Sequence, residues 1–258
     1  MSLQIIRHAF AMIFGNLGQA LRVSVGPYLL LIVFFYGAFK TLGISAGLDL
    51  LASGGRVPAD QVGFSGGAVI FSVLALLIAT LFVASWVAVS WHRFILLEEY
   101  SGLLPATAGR PIWPYIGRTL LCALIIFMAA IGGLLIILGA SAVSPIVGLI
   151  AEYVVTVVLS VIWFRIGVSL PSIAVGQPVA VRDAWSATSP FSGVIVGIVM
   201  IILVISFVVN IATQGLYDLS PMLGLVVNIF IQWVTLMVGV SVLTTLYGHL
   251  IEGRPLID

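Results

Sequence analysis

The sequence predicts an all-α integral membrane protein. It reads as a bundle of six transmembrane helices, paired as three helical hairpins, behind an N-terminal amphipathic interfacial helix. Three observations predict this. The chain is 62% hydrophobic and only 7% charged, where a soluble domain carries about 25% charged residues. Its mean hydropathy of +1.28 means more apolar surface than a soluble protein of 258 residues can hide, so its solvent must be lipid. Long apolar runs also end repeatedly on an aromatic residue followed, two positions on, by a basic one: Trp91-His92-Arg93-Phe94, Trp163-Phe164-Arg165-Ile166 and Tyr247-Gly248-His249-Leu250. Each such foot reads as a membrane helix meeting basic cytoplasm.

The elements follow in order as one polytopic domain, 1–258. Residues 1–22 carry Leu3, Ile6, Phe10, Ile13, Leu17 and Leu21 at helical spacing, with Gln4, Arg7, His8, Gln19 and Arg22 largely off that stripe. A helix in the headgroup plane, apolar face down, has this pattern. The first span is expected over about 25–44, with Pro27 in its first turn, where a missing N–H costs least. It lacks a convincing small-x-small cleavage site and reads as retained. A Gly/Ser-rich loop, 46–66, holds Asp49, Arg56 and Asp60.

The second span, about 67–91, carries Ala75, Ala79, Ala84 and Ala88, small residues of the kind close helix packing uses. Pro105, Pro111 and Pro114 keep 98–118 from forming one regular helix. The third span is expected over 119–141, a turn at Ser144-Pro145, and the fourth over 146–168. The register of the fourth stays open, because Glu152 and Arg165 bracket a fully apolar core of only twelve residues, against the twenty or so that a span needs. A short interfacial helix is expected at Val181–Trp185. The fifth span, 191–211, contains Gly193-x-x-x-Gly197, a spacing that lets helix backbones approach. The sixth covers 222–247.

Orientation follows from the basic residues. With the N-terminus inside, Arg7, Arg22, Arg93, Arg110, Arg118, Arg165, Arg182 and Arg254 fall on the cytoplasmic side and only Lys40 and Arg56 on the other. That eight-to-two bias predicts a membrane protein with both termini cytoplasmic. Trp91, Trp113, Trp163 and Trp185 fall at the same boundaries, as an aromatic belt does.

The arrangement resembles a broad group of six-span bacterial inner-membrane proteins, similar to the membrane domain attached to some glycerophosphodiester phosphodiesterases. Asn16-Leu17-Gly18, Trp91-His92-Arg93-Phe94, and Ser169-Leu170-Pro171 through Gly176 to Asp183-Ala184-Trp185 carry the resemblance. It implies fold and location. It carries over no catalytic residue, because no segment supplies the acidic and histidine cluster of the phosphodiesterase domain.

The chemistry expected is modest. His-Glu-x-x-His and phosphate-binding glycine loops are missing from the sequence, and no catalytic residue, metal or cofactor is assigned. The single Cys122 can form no internal disulfide, and a net charge of +1 without a Lys/Arg run excludes a nucleic-acid surface. Arg93, Arg165 and His249 are the candidate site for an anionic lipid headgroup, three basic groups expected at one depth. Asn210, Asn228 and Gln232 are expected to face protein as interhelical hydrogen-bonding groups, the first two as a pair. The expected function is a non-enzymatic scaffold or accessory subunit interacting with lipids or other membrane proteins. The alternative is a small transporter or lipid-handling permease for a neutral or lipidic solute.

Overall fold

The computed structural model describes the backbone of residues 1–41 and 66–256 and, within these, the side chains of all but 39–41 and 66–69. The side chain of Lys40 and the expected loop with Asp49, Arg56 and Asp60 lie outside what is described. Most of the described residues are helical, and none of them lies in a strand. In order they form α1 (Ser2–Gly15), α2 (Leu17–Thr41), α3 (Gly66–Leu97), α4 (Ile112–Val143), α5 (Pro145–Gly167), α6 (Ser169–Ala174), α7 (Val181–Thr188), α8 (Ser192–Leu219) and α9 (Pro221–Leu250). Six stretches are long and apolar enough to cross a membrane: Leu17–Ala38, Ile70–Leu97, Ile112–Val143, Pro145–Ala174, Val181–Leu219 and Pro221–Leu250. The six-span reading of the sequence therefore stands as architecture.

The boundaries move outward, for local reasons. Helix α4 begins at Ile112 instead of near 119 and takes Pro114 into its first turn, where no intrahelical partner for its nitrogen is needed. Pro27 moves the other way. It lies inside α2, because that helix starts at Leu17. The break that separates α1 from α2 is Asn16, whose side-chain amide donates to Met12 O at 2.9 Å while its carbonyl accepts from the Ala20 N–H at 2.9 Å. Two hairpins close on a single Ser before a Pro. Ser144 Oγ accepts from the Val147 N–H and opens α5, and Ser220 Oγ accepts from the Leu223 N–H and opens α9. Serine caps the free N–H groups and proline presets the first helical φ. The turn between the last two spans is thus at Ser220, and α8 runs through Gly215 to Leu219.

The α4/α5 hairpin packs closest where side chains vanish. A Cβ on Gly133 would stand 2.5 Å from Val155 Cγ1, and one on Gly148 would collide with Ser141. The expected close approach at Gly193 and Gly197 occurs at Gly197 alone, and its neighbour is Ser2 of α1.

Helix α1 corrects an expectation. Its Ile5, Ile6, Ala9, Met12 and Ile13 are buried in the protein core against α8 and α9, while Leu3, Phe14, Leu17 and Leu21 are exposed. Packing selects the face through Ile5 and Ala9, so the stripe from Leu3 to Leu21 is split between core and surface. Ser2 Oγ donates to Val194 O at 2.9 Å and ties the start of α1 to α8.

Burial is concentrated at one end. Helix α9 is buried almost continuously from Met237 to Gly248, and α3 from Val83 to Leu96. The same end takes in all of α6 and the last turn of α5. It carries Arg93, Arg110, Arg118, Arg165 and Arg254, and is called here the basic end. Lipid tails supply no hydrophobic drive between helices, so this packing rests on van der Waals fit and polar bonds.

Candidate functional site: the basic end

Three consecutive residues of α3, each turned about 100° from the last, reach three neighbours. Trp91 is fully buried, and its indole N–H donates to Ser241 Oγ of α9 at 2.9 Å. His92 is also fully buried, with Nδ1 2.8 Å from Thr244 Oγ1 of α9 and Nε2 3.1 Å from the Tyr115 hydroxyl of α4. The Thr244 hydroxyl already donates to Val240 O at 2.8 Å. It therefore accepts from His92, which places the imidazole proton on Nδ1 and leaves Nε2 to accept from Tyr115. Arg93 makes a fork to Glu99, Nε to Oε2 at 2.9 Å and Nη2 to Oε1 at 2.5 Å, and donates through Nη1 to Ala174 O at 2.7 Å.

Glu99 also receives the Arg110 guanidinium. The hydrogen bonds from Arg93 hold its carboxyl below the usual carboxylate range. Burial opposes them, and the charges of Arg93 and Arg110 with the Arg110 bond assist. Between them Glu98 adopts a left-handed φ of 55°. The Glu99 N–H reaches back to Arg93 O at 3.4 Å, a glycine-type helix ending made here by a glutamate.

Other basic residues bind helix ends in the same manner. Arg165 Nη2 donates to Trp185 O of α7 at 2.8 Å and Nε to Thr188 Oγ1 at 3.3 Å, with its guanidinium carbon 3.5 Å from the Trp185 ring centre. Arg254 donates to Leu96 O near the end of α3 at 3.0 Å. Arg118 donates instead to a connecting segment, at Val179 O, 2.6 Å away and ahead of α7. A helix C-terminus leaves carbonyls without intrahelical donors and carries partial negative charge, so a guanidinium there stabilises both. His249 Nδ1 donates to Arg254 O at 2.8 Å. Burial, and then the neighbouring His249, hold the His8 imidazole below its usual range.

The expected headgroup trio is therefore divided. Arg93 engages Glu99 and Ala174, Arg165 engages Trp185 and Thr188 with 8% of its surface exposed, and His249 engages the carbonyl of Arg254. Each basic foot is a stitch to a different segment. The amide expectation also needs correction. Asn210 and Gln232 are exposed, Asn228 is half-buried, and no hydrogen bond joins Asn210 to Asn228 among the described residues. Helix α9 instead turns Trp233 toward α2, where its indole N–H donates to Ser24 Oγ at 2.9 Å, and this rotates Gln232 outward. Near the turn Gly224 lies against the Tyr217 ring, so the hairpin contact is made without the amides.

Sequence reasoning missed Tyr115, Thr244, Ser241, Glu99 and Arg110 as partners of this end. Glu99, six residues beyond Arg93, was within reach of a helix-end argument, whereas Thr244 lies 152 residues from His92 and no local pattern announces it. Comparison with known protein families, curated proteins and solved structures finds no match to this chain.

Proposed function

We propose that this chain is a non-enzymatic scaffold or accessory subunit of the bacterial inner membrane, with both termini cytoplasmic, that holds lipids or partner membrane helices against its spans. The observation that carries the reading is the division of labour along the helices. Polar stitches concentrate at the basic end, while the spans offer long exposed apolar faces. In the most apolar windows of Ile112–Val143 and Pro145–Ala174, only 11% and 6% of the residues are buried. A rigid end that fixes where the helices emerge, with free faces above it, suits lateral binding. The basic bias supports a cytoplasmic position for that end.

A second reading, the small transporter or lipid-handling permease, draws on His92, Tyr115 and Thr244, a buried polar group among spans of the kind that transport pathways use. Purification in mild detergent, with mass spectrometry of bound lipids and proteins, separates the two. A membrane-protein partner recovered near one-to-one supports the scaffold. Recovery of the chain without any protein partner, together with solute flux in proteoliposomes, would overturn it.

A further inference from the structure

The connection between α3 and α4 carries a polar recess lined by Ser90, Arg93, Glu99, Ser101, Pro105 and Arg110. Its cavity volume is about 10 Å³, room for one water-sized group such as a single phosphate oxygen. Arg93 is committed there, all three of its nitrogens donating to Glu99 or Ala174. Arg110 is not. Its Nη1 meets Glu99, and its Nε and Nη2 have no acceptor among the described residues. Its side chain is 30% exposed. A planar fork with open N–H groups beside a second guanidinium matches a phosphate oxygen pair.

The same connection points to the source of that phosphate. Tyr100, Leu103 and Leu104 within it, and Trp113 just after it, are all more than half exposed. Exposed aliphatic and aromatic residues bracketing a cation occur where a surface meets the headgroup and upper acyl region. The segment is held firmly in that position. Gln19 Nε2 donates to Ser101 O at 3.1 Å, the Trp86 indole donates to Pro105 O at 3.1 Å, and Leu103 O lies directly against Gly26 of α2. The local acids are Glu99 and the exposed Glu98, and they balance Arg93 and Arg110. An incoming anion must therefore compete with Glu99 for Arg110.

We infer that Arg110, over the recess shared with Arg93, binds the phosphate of an anionic phospholipid headgroup, with Leu103 and Leu104 against the acyl chains and Glu99 as the competing internal anion. This deepens the lipid-binding part of the proposed function. It fails separately from that reading, because a partner protein retained by an Arg110 variant keeps the scaffold while the site is lost.

The test uses the full chain in phosphatidylcholine nanodiscs with and without phosphatidylglycerol, read by native mass spectrometry and by melting temperature. The wild type should retain phosphatidylglycerol preferentially, and Arg110→Gln should lower that preference about tenfold, the size of one charge-assisted bond. Glu99→Gln, which removes the competing anion, should raise it. Arg254→Gln, a stitch elsewhere on the same end, should leave it unchanged. In phosphatidylcholine alone, inorganic phosphate that raises the melting temperature of the wild type and not of Arg110→Gln would support the anion site and assign it to free phosphate. Equal phosphatidylglycerol retention by folded Arg110→Gln and wild type, with no phosphate effect, would overturn the site. An equal loss in Arg254→Gln would overturn it too.

Discussion

The proton on His92 makes a prediction that ordinary truncation would not. Thr244 Oγ1 donates to Val240 and so can only accept from Nδ1, and Tyr115 must donate to Nε2. Leucine at 92 keeps most of the volume, removes both bonds and leaves a buried Tyr115 hydroxyl without an acceptor. The orphaned hydroxyl costs about 1–3 kcal/mol, and the loss of the Thr244 bond adds about 0.6 kcal/mol, the membrane average. Glutamine places its carbonyl oxygen near the former Nε2 and keeps the Tyr115 bond, so His92→Gln should cost about 1 kcal/mol. Asparagine places its amide N–H near the former Nδ1, keeps Thr244 and orphans Tyr115, so His92→Asn should cost about 2 kcal/mol. Adding Tyr115→Phe to His92→Leu removes the orphan and should recover about 1–2 kcal/mol as a coupling energy. Thermal melts followed by intrinsic tryptophan fluorescence in one detergent give the order. Asparagine near wild type with glutamine worst would make the Thr244 bond the dominant one, and a coupling near zero would refute the Tyr115 bond.

Other expected outcomes follow from the same end. Arg93 and Arg110 hold the Glu99 carboxyl below its ordinary 4.5. That stabilisation is complete above this value and is lost as pH falls from it through the lower folded value. The wild-type melting temperature should drop over that acid window and that of Glu99→Gln should not; parallel pH profiles would remove Glu99 from the argument. Arg165→Lys loses the planar stack on Trp185 and the fork, about 1 kcal/mol, and should change Trp185 emission; unchanged emission would contradict the contact. Gly26→Ala drives a methyl into Leu103 O, so it should lower the melting temperature and speed proteolysis near Leu103; wild-type behaviour would show that the loop does not lie there.

Much of the fold was legible because lipid imposes it. Six long apolar stretches and the Ser144-Pro145 turn are local signals, and the helices follow them. The basic feet were legible as boundaries, and their chemistry was not. Arg93 and Arg165 look alike in sequence, yet one meets a carboxylate and a carbonyl and the other a tryptophan face. Those choices depend on which helix end folds beside each foot, a tertiary fact. Asn210 and Gln232 were misplaced because hairpin adjacency fixes depth but leaves rotation free, and Trp233 fixes the rotation of α9 through Ser24. Helix α1 was misread because an amphipathic stripe does not distinguish a lipid surface from a protein groove.

The proposed function places the basic end at the cytoplasmic face, and cysteine labelling in spheroplasts tests that directly. Single cysteines replace Ser101, in the α3–α4 connection, Ser186, on α7, and Ser220, in the turn between α8 and α9. The buried Cys122 stays in place as an internal control. A membrane-impermeant maleimide should label the Ser220 position in intact spheroplasts, and the Ser101 and Ser186 positions only after permeabilisation. Labelling of the Ser101 position in intact cells would place the basic end outside and contradict the account.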